Sequence, residues 1–272
     1  MKVIFAVSIR PVLCAAALSA LLLGGGVQAG GAGAPLPRAG AAASTTQQQA
    51  GRALLVRAIE ANGGEALRGL RTMTQGVELV FMDAQGQPAI TLNAAASVDY
   101  ANRWARQTTK QGQTLISEQW LTAEGAFAFA PQSGTVPLPR QEAQSLRDSF
   151  YYGAPGLIAA EQGRGSFRNL GQQTWLKVNG KDLTGTVLEA VTNNTKATFL
   201  LDSRGLVVAE RYPIAPLGEV ISVYSDFEEV GGIPFSDKAQ AFLPNGTLIF
   251  TADFSEVQMN VALPASTFAV PQ

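Results

Sequence analysis

The chain has 272 residues, of which 46% are apolar and 15% are charged, with a formal net charge of −1. This length and composition can bury a core without a metal or a disulfide, and the charge balance gives no electrostatic footprint for nucleic acid. The sequence contains no His, and Cys14 is its only Cys. These counts exclude Ser-His-Asp catalysis and zinc sites with His or Cys ligands. Carboxylate, Lys, Tyr or Ser/Lys chemistry, or no chemistry at all, remains open. We expect a protein that is not an enzyme and uses no cofactor or metal.

The first 29 residues have the pattern of a signal peptide. Lys2 and Arg10 precede an apolar run of about 13 residues at 11–23, which is shorter than the roughly 20 residues of a membrane span. Val27, Gln28 and Ala29 fit the small-x-small rule, which predicts cleavage near Ala29 and export to the periplasm; an uncleaved anchor is the alternative. Residues 30–48 are rich in Gly, Ala and Pro, a composition typical of a disordered linker.

Residues 49–272 are predicted to form one domain. Helical spacing begins near Gln49 and stops at Asn62, and the period changes to two from Thr72. Strands follow at about 88–99, 101–109, 113–122 and 125–130. A loop is predicted at 131–137, and a helix at 139–152 that extends through 155–162. Further strands are predicted at about 173–178, 183–192, 195–202, 206–212, 218–228, 233–243 and 247–261. Short turns predict antiparallel neighbours, with the helical insertion dividing the sheet into two halves.

About 11–12 strands are more than a flat open sheet accommodates, which indicates strong curling. The predicted fold class is therefore α+β and mostly antiparallel β, a strongly curved half-barrel sheet whose concave face is covered by the N-terminal and inserted helices. Val77, Leu79 and Phe81 are predicted to share one face of their strand.

Three segments carry a family resemblance. Residues 99–131 place aromatic strands before a Pro loop, residues 179–212 contain a hairpin followed by an Asp-x-x-Gly turn, and residues 224–268 contain V-G-G-I-P-F and end in P-x-x-x-F. This order resembles the LolA-like, outer-membrane lipoprotein-sorting superfamily. The resemblance implies a half-barrel with a helical lid that carries lipoprotein acyl chains or other lipids. It also implies a lid-gating arginine, for which Arg103, Arg106 and Arg140 are the candidates.

Large aromatic side chains are the candidates for a hydrophobic ligand-binding cavity and its lid: Trp104, Trp120, Phe127, Phe129, Phe150, Tyr151 and Trp175. Each buried methylene contributes about 0.8 kcal/mol, so a long acyl chain gains on the order of 10 kcal/mol before association costs. The alternative for each ring is ordinary core packing. We expect a monomeric periplasmic carrier or binder of a hydrophobic ligand, a lipid or lipoprotein acyl chain. The alternative is a non-catalytic structural or protein-interaction module of the cell envelope, with an envelope protein as its partner.

Overall fold

A computed structural model describes residues 45–163, 165–214 and 217–271. The predicted signal peptide and most of the predicted linker lie outside these residues. The helices are α1 (Thr45–Ala61), α2 (Gly64–Arg68), α3 (Arg140–Asp148), α4 (Gly153–Gln162) and the 3-10 turns Ser149–Tyr151 and Ala265–Phe268. The strands are β1 (Thr72–Met82), β2 (Pro88–Asp99), β3 (Trp104–Gln111), β4 (Thr114–Leu121), β5 (Ala126–Ala130), β6 (Gly134–Pro137), β7 (Ser166–Val178), β8 (Lys181–Thr192), β9 (Thr195–Leu201), β10 (Val207–Ile214), β11 (Gly218–Val230), β12 (Ile233–Phe242) and β13 (Leu248–Met259).

The described strands form a single 13-stranded antiparallel sheet in the order β6-β5-β4-β3-β2-β1-β13-β12-β11-β10-β9-β8-β7. Consecutive strands pair as hairpins within β1–β6 and within β7–β13. β1 also pairs with β13, and this long-range pairing joins the two predicted halves. The sheet is curved and not closed, which confirms the predicted half-barrel. Its two edges, β6 and β7, are the strands that flank the helical insertion in the sequence. The insertion therefore runs from one edge of the sheet to the other.

Two strand predictions were wrong. Gly134–Pro137, predicted to be a loop, is the short edge strand β6, which pairs with β5. Its four residues carry no alternation for a period-two pattern to reveal. The second error concerns β7, which begins at Ser166 rather than near residue 173; its first half contains a register shift between Asn169 and Gln172, and such an irregularity interrupts the alternation that predicts a strand.

Helix α1 packs closely on the concave side of the sheet. It begins at Thr45, four residues before the predicted start, so residues 45–48 are helical rather than part of the linker. A side chain at Gly51 would lie 2.5 Å from the backbone carbonyl of Phe167 in β7, so only glycine permits this approach. The inward side of α1 carries the buried residues Leu54, Leu55, Ala58 and Ile59.

The main core lies between the concave face and helices α1 and α4. Val77, Leu79 and Phe81 are buried in it as predicted, together with Leu157 of α4. A second cluster packs under α3 and includes Leu121, Leu146 and Phe150. Within the described part of the chain, no helix is long and apolar enough to cross a membrane.

A further apolar cluster lies on the convex face. Val187, Leu200, Ala209 and Ile221 alternate with residues of the main core along their strands and are fully buried. Leu176 of β7 packs with them, and partly buried side chains of the β7–β8 hairpin surround the cluster. The protein therefore buries apolar side chains on both faces of this end of the sheet.

Candidate ligand-binding site beneath the lid

The helical insertion Arg140–Gln162, which we call the lid, is fastened to both sides of the sheet by polar contacts. Thr195 on β9 donates a hydrogen bond to Asp148 over 2.8 Å. The phenol oxygen of Tyr151 accepts hydrogen bonds from Asn193 Nδ2 at 2.5 Å and from Arg103 Nη1 at 2.9 Å. Arg103 and Asn193 lie in turns on opposite halves of the sheet, so one tyrosine bridges the hollow.

These contacts distinguish the three arginine candidates for gating. Arg103 contacts the lid, and its guanidinium also lies 5.5 Å from the centre of the Tyr151 ring. Arg106 instead pairs with Glu118 over 2.8 Å, on the convex face. Arg140 is exposed at the start of α3. Of the three, only Arg103 is placed to hold the lid closed.

A buried carboxylate holds the start of α4. Glu210 of β10 is 1% exposed and accepts hydrogen bonds from the backbone N–H of Gly153 at 2.5 Å and from the Tyr224 hydroxyl at 2.6 Å. Gly153 has a φ of 65°, a left-handed conformation that favours glycine and separates the preceding 3-10 turn from α4. Glu210 therefore ties the lid to the floor of the hollow.

Tyr152 fills the hollow beside this carboxylate. Its ring is buried and lies 5.0 Å from the Tyr212 ring, and the Tyr212 hydroxyl hydrogen-bonds with Ser222 over 2.8 Å. Burial raises the pKa of the Tyr152 phenol, and the negative charges of Asp148 and Glu210 raise it further. The phenol therefore stays neutral, with no tendency to add a charge beneath the lid.

A narrow apolar space, the crevice, remains between the lid, α2 and the sheet. Its volume is about 30 Å³, room for little more than a water molecule. The residues that line it are Leu67, Leu70, Met73, Gln75, Tyr100, Ser149, Tyr152, Gly153, Ala154, Pro155, Ile233, Pro234, Phe235 and Met259. The lid and α1 therefore occupy most of the concave face in this closed arrangement.

Gln75 is a buried polar residue in the largely apolar crevice wall. It is 3% exposed, and its Oε1 atom has no hydrogen-bond partner within the described part of the chain. A buried acceptor without a donor costs about 1–3 kcal/mol. Gln75 therefore lowers the free energy of unfolding. The sequence pattern did not single out Gln75, because it occupies an ordinary inward position of a strand.

A larger and more polar space, the mouth, opens beside the crevice. It has a volume of about 370 Å³, within the usual range for ligand pockets. The residues that line it are Leu67, Arg68, Leu70, Arg71, Tyr100, Ala101, Arg103, Phe150, Pro155, Ile158, Ala159 and Gln162. Four of these residues also line the crevice, so the two spaces adjoin.

Four of the predicted cavity aromatics point away from the hollow. Ala126 and Ala128 of β5 pack under α3, so the alternate residues Phe127 and Phe129 lie on the convex face. Trp120 pairs directly with Phe127 and therefore shares that face. The same alternation from Ala105 places Trp104 there as well.

A fifth aromatic, Trp175, also lies outside the hollow. It packs against the convex cluster, and the Arg211 guanidinium lies 4.5 Å from the centre of its ring. Trp104 is covered by the C-terminal 3-10 turn, where Phe268 meets it edge-on at 5.8 Å. The two predicted lid residues, Phe150 and Tyr151, do lie on the lid, and Phe150 lines the mouth. Among the described residues, no group of three or more carboxylates is placed to hold a metal.

Comparison with solved structures agrees with this architecture. A DUF1329 family protein from Desulfovibrio piger superposes with a TM-score of 0.56 and 11% identity, covering 82% of this chain and 97% of that one. A LolA superfamily protein from Nitrosomonas europaea gives 0.54 and 14%, covering 80% and 97%. The chain has the LolA-like fold.

A third LolA-like neighbour is described as an outer membrane lipoprotein-sorting protein domain from Vibrio parahaemolyticus. It superposes with a TM-score of 0.54 and 10% identity, covering 81% of this chain and 97% of that one. No family model and no curated protein matches the sequence. At these identities the likeness concerns the fold, which confirms the LolA-like architecture predicted from the sequence.

Proposed function

We propose that the protein binds a lipid or lipoprotein acyl chain between the lid and the concave face. The observation that carries this proposal is the apolar crevice directly beneath a lid that is fastened at its rim by polar contacts. The LolA-like fold supports it, since one neighbour of this fold is described as a lipoprotein-sorting domain. The signal-peptide pattern of residues 1–29 supports export, and we propose the periplasm as the site of action.

Binding an acyl chain requires the lid to move, because the crevice in the closed arrangement holds about 30 Å³. Each polar contact of the lid contributes about 1 kcal/mol, or about 2 where one partner is charged. A buried acyl chain contributes on the order of 10 kcal/mol, and its methylenes replace the apolar contacts that the lid gives up. The four lid contacts described above, three of them with a charged partner, together contribute about 7 kcal/mol. This total is comparable to the contribution of the acyl chain, so a ligand can displace the lid without unfolding the sheet.

A reversible lock on the lid tests this proposal. Asp148→Cys and Thr195→Cys replace two side chains that already meet over 2.8 Å, and Cys14→Ser in every variant leaves the new thiols as the only ones. We expect the oxidised pair to lose uptake of a fluorescent fatty acid and the reduced pair to recover it. Each single-Cys variant is the control and should bind under both conditions.

Two results would contradict lid-gated binding. One is equal uptake by the oxidised and reduced double variant, with the disulfide verified by mass spectrometry. The other is protein purified from a membrane-containing host that carries no lipid in native mass spectrometry and takes up no fatty acid or lipopeptide. The first result would mean that the ligand binds elsewhere on the surface. The second would mean that the protein binds no lipid.

A structural or protein-interaction module of the cell envelope is the second candidate. The packed hollow favours it, because the main core and the α3 cluster already fill most of the concave face. This function predicts a reproducible protein partner together with no lipid uptake in the lid-lock experiment. Lipid uptake that the lock abolishes would contradict it.

A further inference from the structure

Among the residues that the structure describes, the mouth is lined by three arginines and by no acidic residue. Arg68, Arg71 and Arg103 face it, and its other lining residues are uncharged. Positive groups in a concave space attract anions, because nearby protein reduces the screening by water. The question is which of the three guanidinium groups can bind an external anion.

Arg68 is already neutralised by the protein. It pairs with Glu60 and Glu65 at 2.9 Å each and with Glu161 at 3.0 Å. The hydrogen bonds with Glu161 and Glu60 raise the pKa of Arg68 above its ordinary value. The guanidinium stays positively charged, but its three carboxylate partners compensate that charge and occupy its donors. Arg68 therefore fastens α4 to α2 and is not available to a ligand.

Arg71 and Arg103 differ from Arg68 in this respect. Neither forms an ion pair with another described residue, and the side-chain contacts of Arg103 are with the uncharged phenol of Tyr151. The backbone of Arg71 is held on both sides, since its N–H donates to Asn260 at 2.7 Å and its carbonyl accepts from the Tyr100 N–H at 2.8 Å. Two positive charges without an ion-pair partner among the described residues therefore line the mouth, that of Arg71 on a fixed backbone and that of Arg103 beside Tyr151.

The mouth is continuous with the apolar crevice. Leu67, Leu70, Tyr100 and Pro155 line both spaces. A molecule that enters here passes the two arginines before it reaches the apolar wall beneath the lid. An entering molecule therefore meets a charged region first and an apolar region second. A molecule with a charged head and an apolar tail has the same arrangement.

We propose that the ligand is an anionic amphiphile, whose phosphate or carboxylate head binds Arg71 and Arg103 in the mouth while its chain enters the crevice. This inference rests on the proposed function and names the class of ligand. Arginine suits the task because its planar fork of donors matches the oxygens of phosphate and carboxylate groups. The proposed role of Arg71 is confined to binding the head group, whereas Arg103 also contacts Tyr151 of the lid.

Paired ligands with one chain and different heads test the proposal on the full-length protein. Calorimetry compares a lysophosphatidic acid with the monoacylglycerol of the same chain, and oleate with oleyl alcohol. We expect the wild type to bind each anionic ligand at least tenfold more tightly than its neutral partner. Arg71→Gln should reduce that preference to less than threefold, and Arg71→Lys should restore part of it.

Arg52→Gln is the matched control. Arg52 is exposed on α1, does not line the mouth and carries the same charge, so its replacement should keep the preference. Equal affinity for charged and uncharged heads in the wild type, or an equal loss in both variants, would overturn the proposal. Inorganic phosphate is the second arm: binding as tight as that of the lysophospholipid would mean a site for free anions and would also overturn it. Failure of every amphiphile to bind contradicts the proposed function itself.

Discussion

Glu210→Gln isolates the contact that ties the lid to the floor of the hollow. The carboxylate receives two short hydrogen bonds, from the Gly153 N–H at 2.5 Å and the Tyr224 hydroxyl at 2.6 Å. An amide of the same shape keeps one acceptor oxygen and turns an NH₂ group towards the other donor. Losing one charge-assisted bond costs about 2 kcal/mol, which corresponds to about a 30-fold larger population of the open lid.

Native-state hydrogen exchange measures this opening directly. Protection of the amides in α4 should fall by about 30-fold in Glu210→Gln, because local opening free energies set local exchange rates. Glu189→Gln is the control: Glu189 is also buried, but it pairs with Arg168 and Lys196 on the convex face. Equal exchange changes in α4 for both variants would refute the reasoning, since Glu210 would then stabilise the sheet rather than the lid.

Three further predictions concern the crevice, the pH dependence and the convex face. Gln75→Met should raise the free energy of unfolding by about 1 kcal/mol in urea titrations, because it removes a buried acceptor without a partner; a loss of stability would show that the amide is satisfied. Asp202 accepts hydrogen bonds from Arg204 and from the N–H groups of Arg204, Gly205 and Leu206; although partial burial opposes it, these bonds lower the pKa of Asp202. A lowered folded-state pKa stabilises the protein above the unfolded value of about 3.9, and this contribution is lost as the pH falls through the folded value. The loss in free energy of unfolding caused by Asp202→Asn should therefore shrink below about pH 4. A loss that stays constant with pH would contradict the assignment. Trp104→Ala should lower the free energy of unfolding by about 2 kcal/mol, less than a fully buried tryptophan would cost, and leave lipid affinity unchanged; an affinity loss would place the ligand on the convex face.

The period of most strands, though not of β6 or the first half of β7, was readable from the sequence. The face that each strand turns inward was not. Alternation in β5 separates Ala126 and Ala128 from Phe127 and Phe129, and apolar side chains occupy both rows. Large aromatics of these strands were the candidates for the wall of the hollow. The structure places the alanines inward, since small side chains leave room for α3. The bulky rings fill the opposite face.

Local signals by themselves determined most of the hairpins, the helical insertion and the LolA-like order of elements. Such signals depend on neighbouring residues, so turn chemistry and periodicity reveal them. The pairing of β1 with β13, the meeting of Asn193 and Arg103 at Tyr151, and the burial of Glu210 under Gly153 were decided only by the tertiary structure. Each joins residues far apart in the chain, and no local pattern carries information about which distant strand or turn a curved sheet will bring beneath its lid.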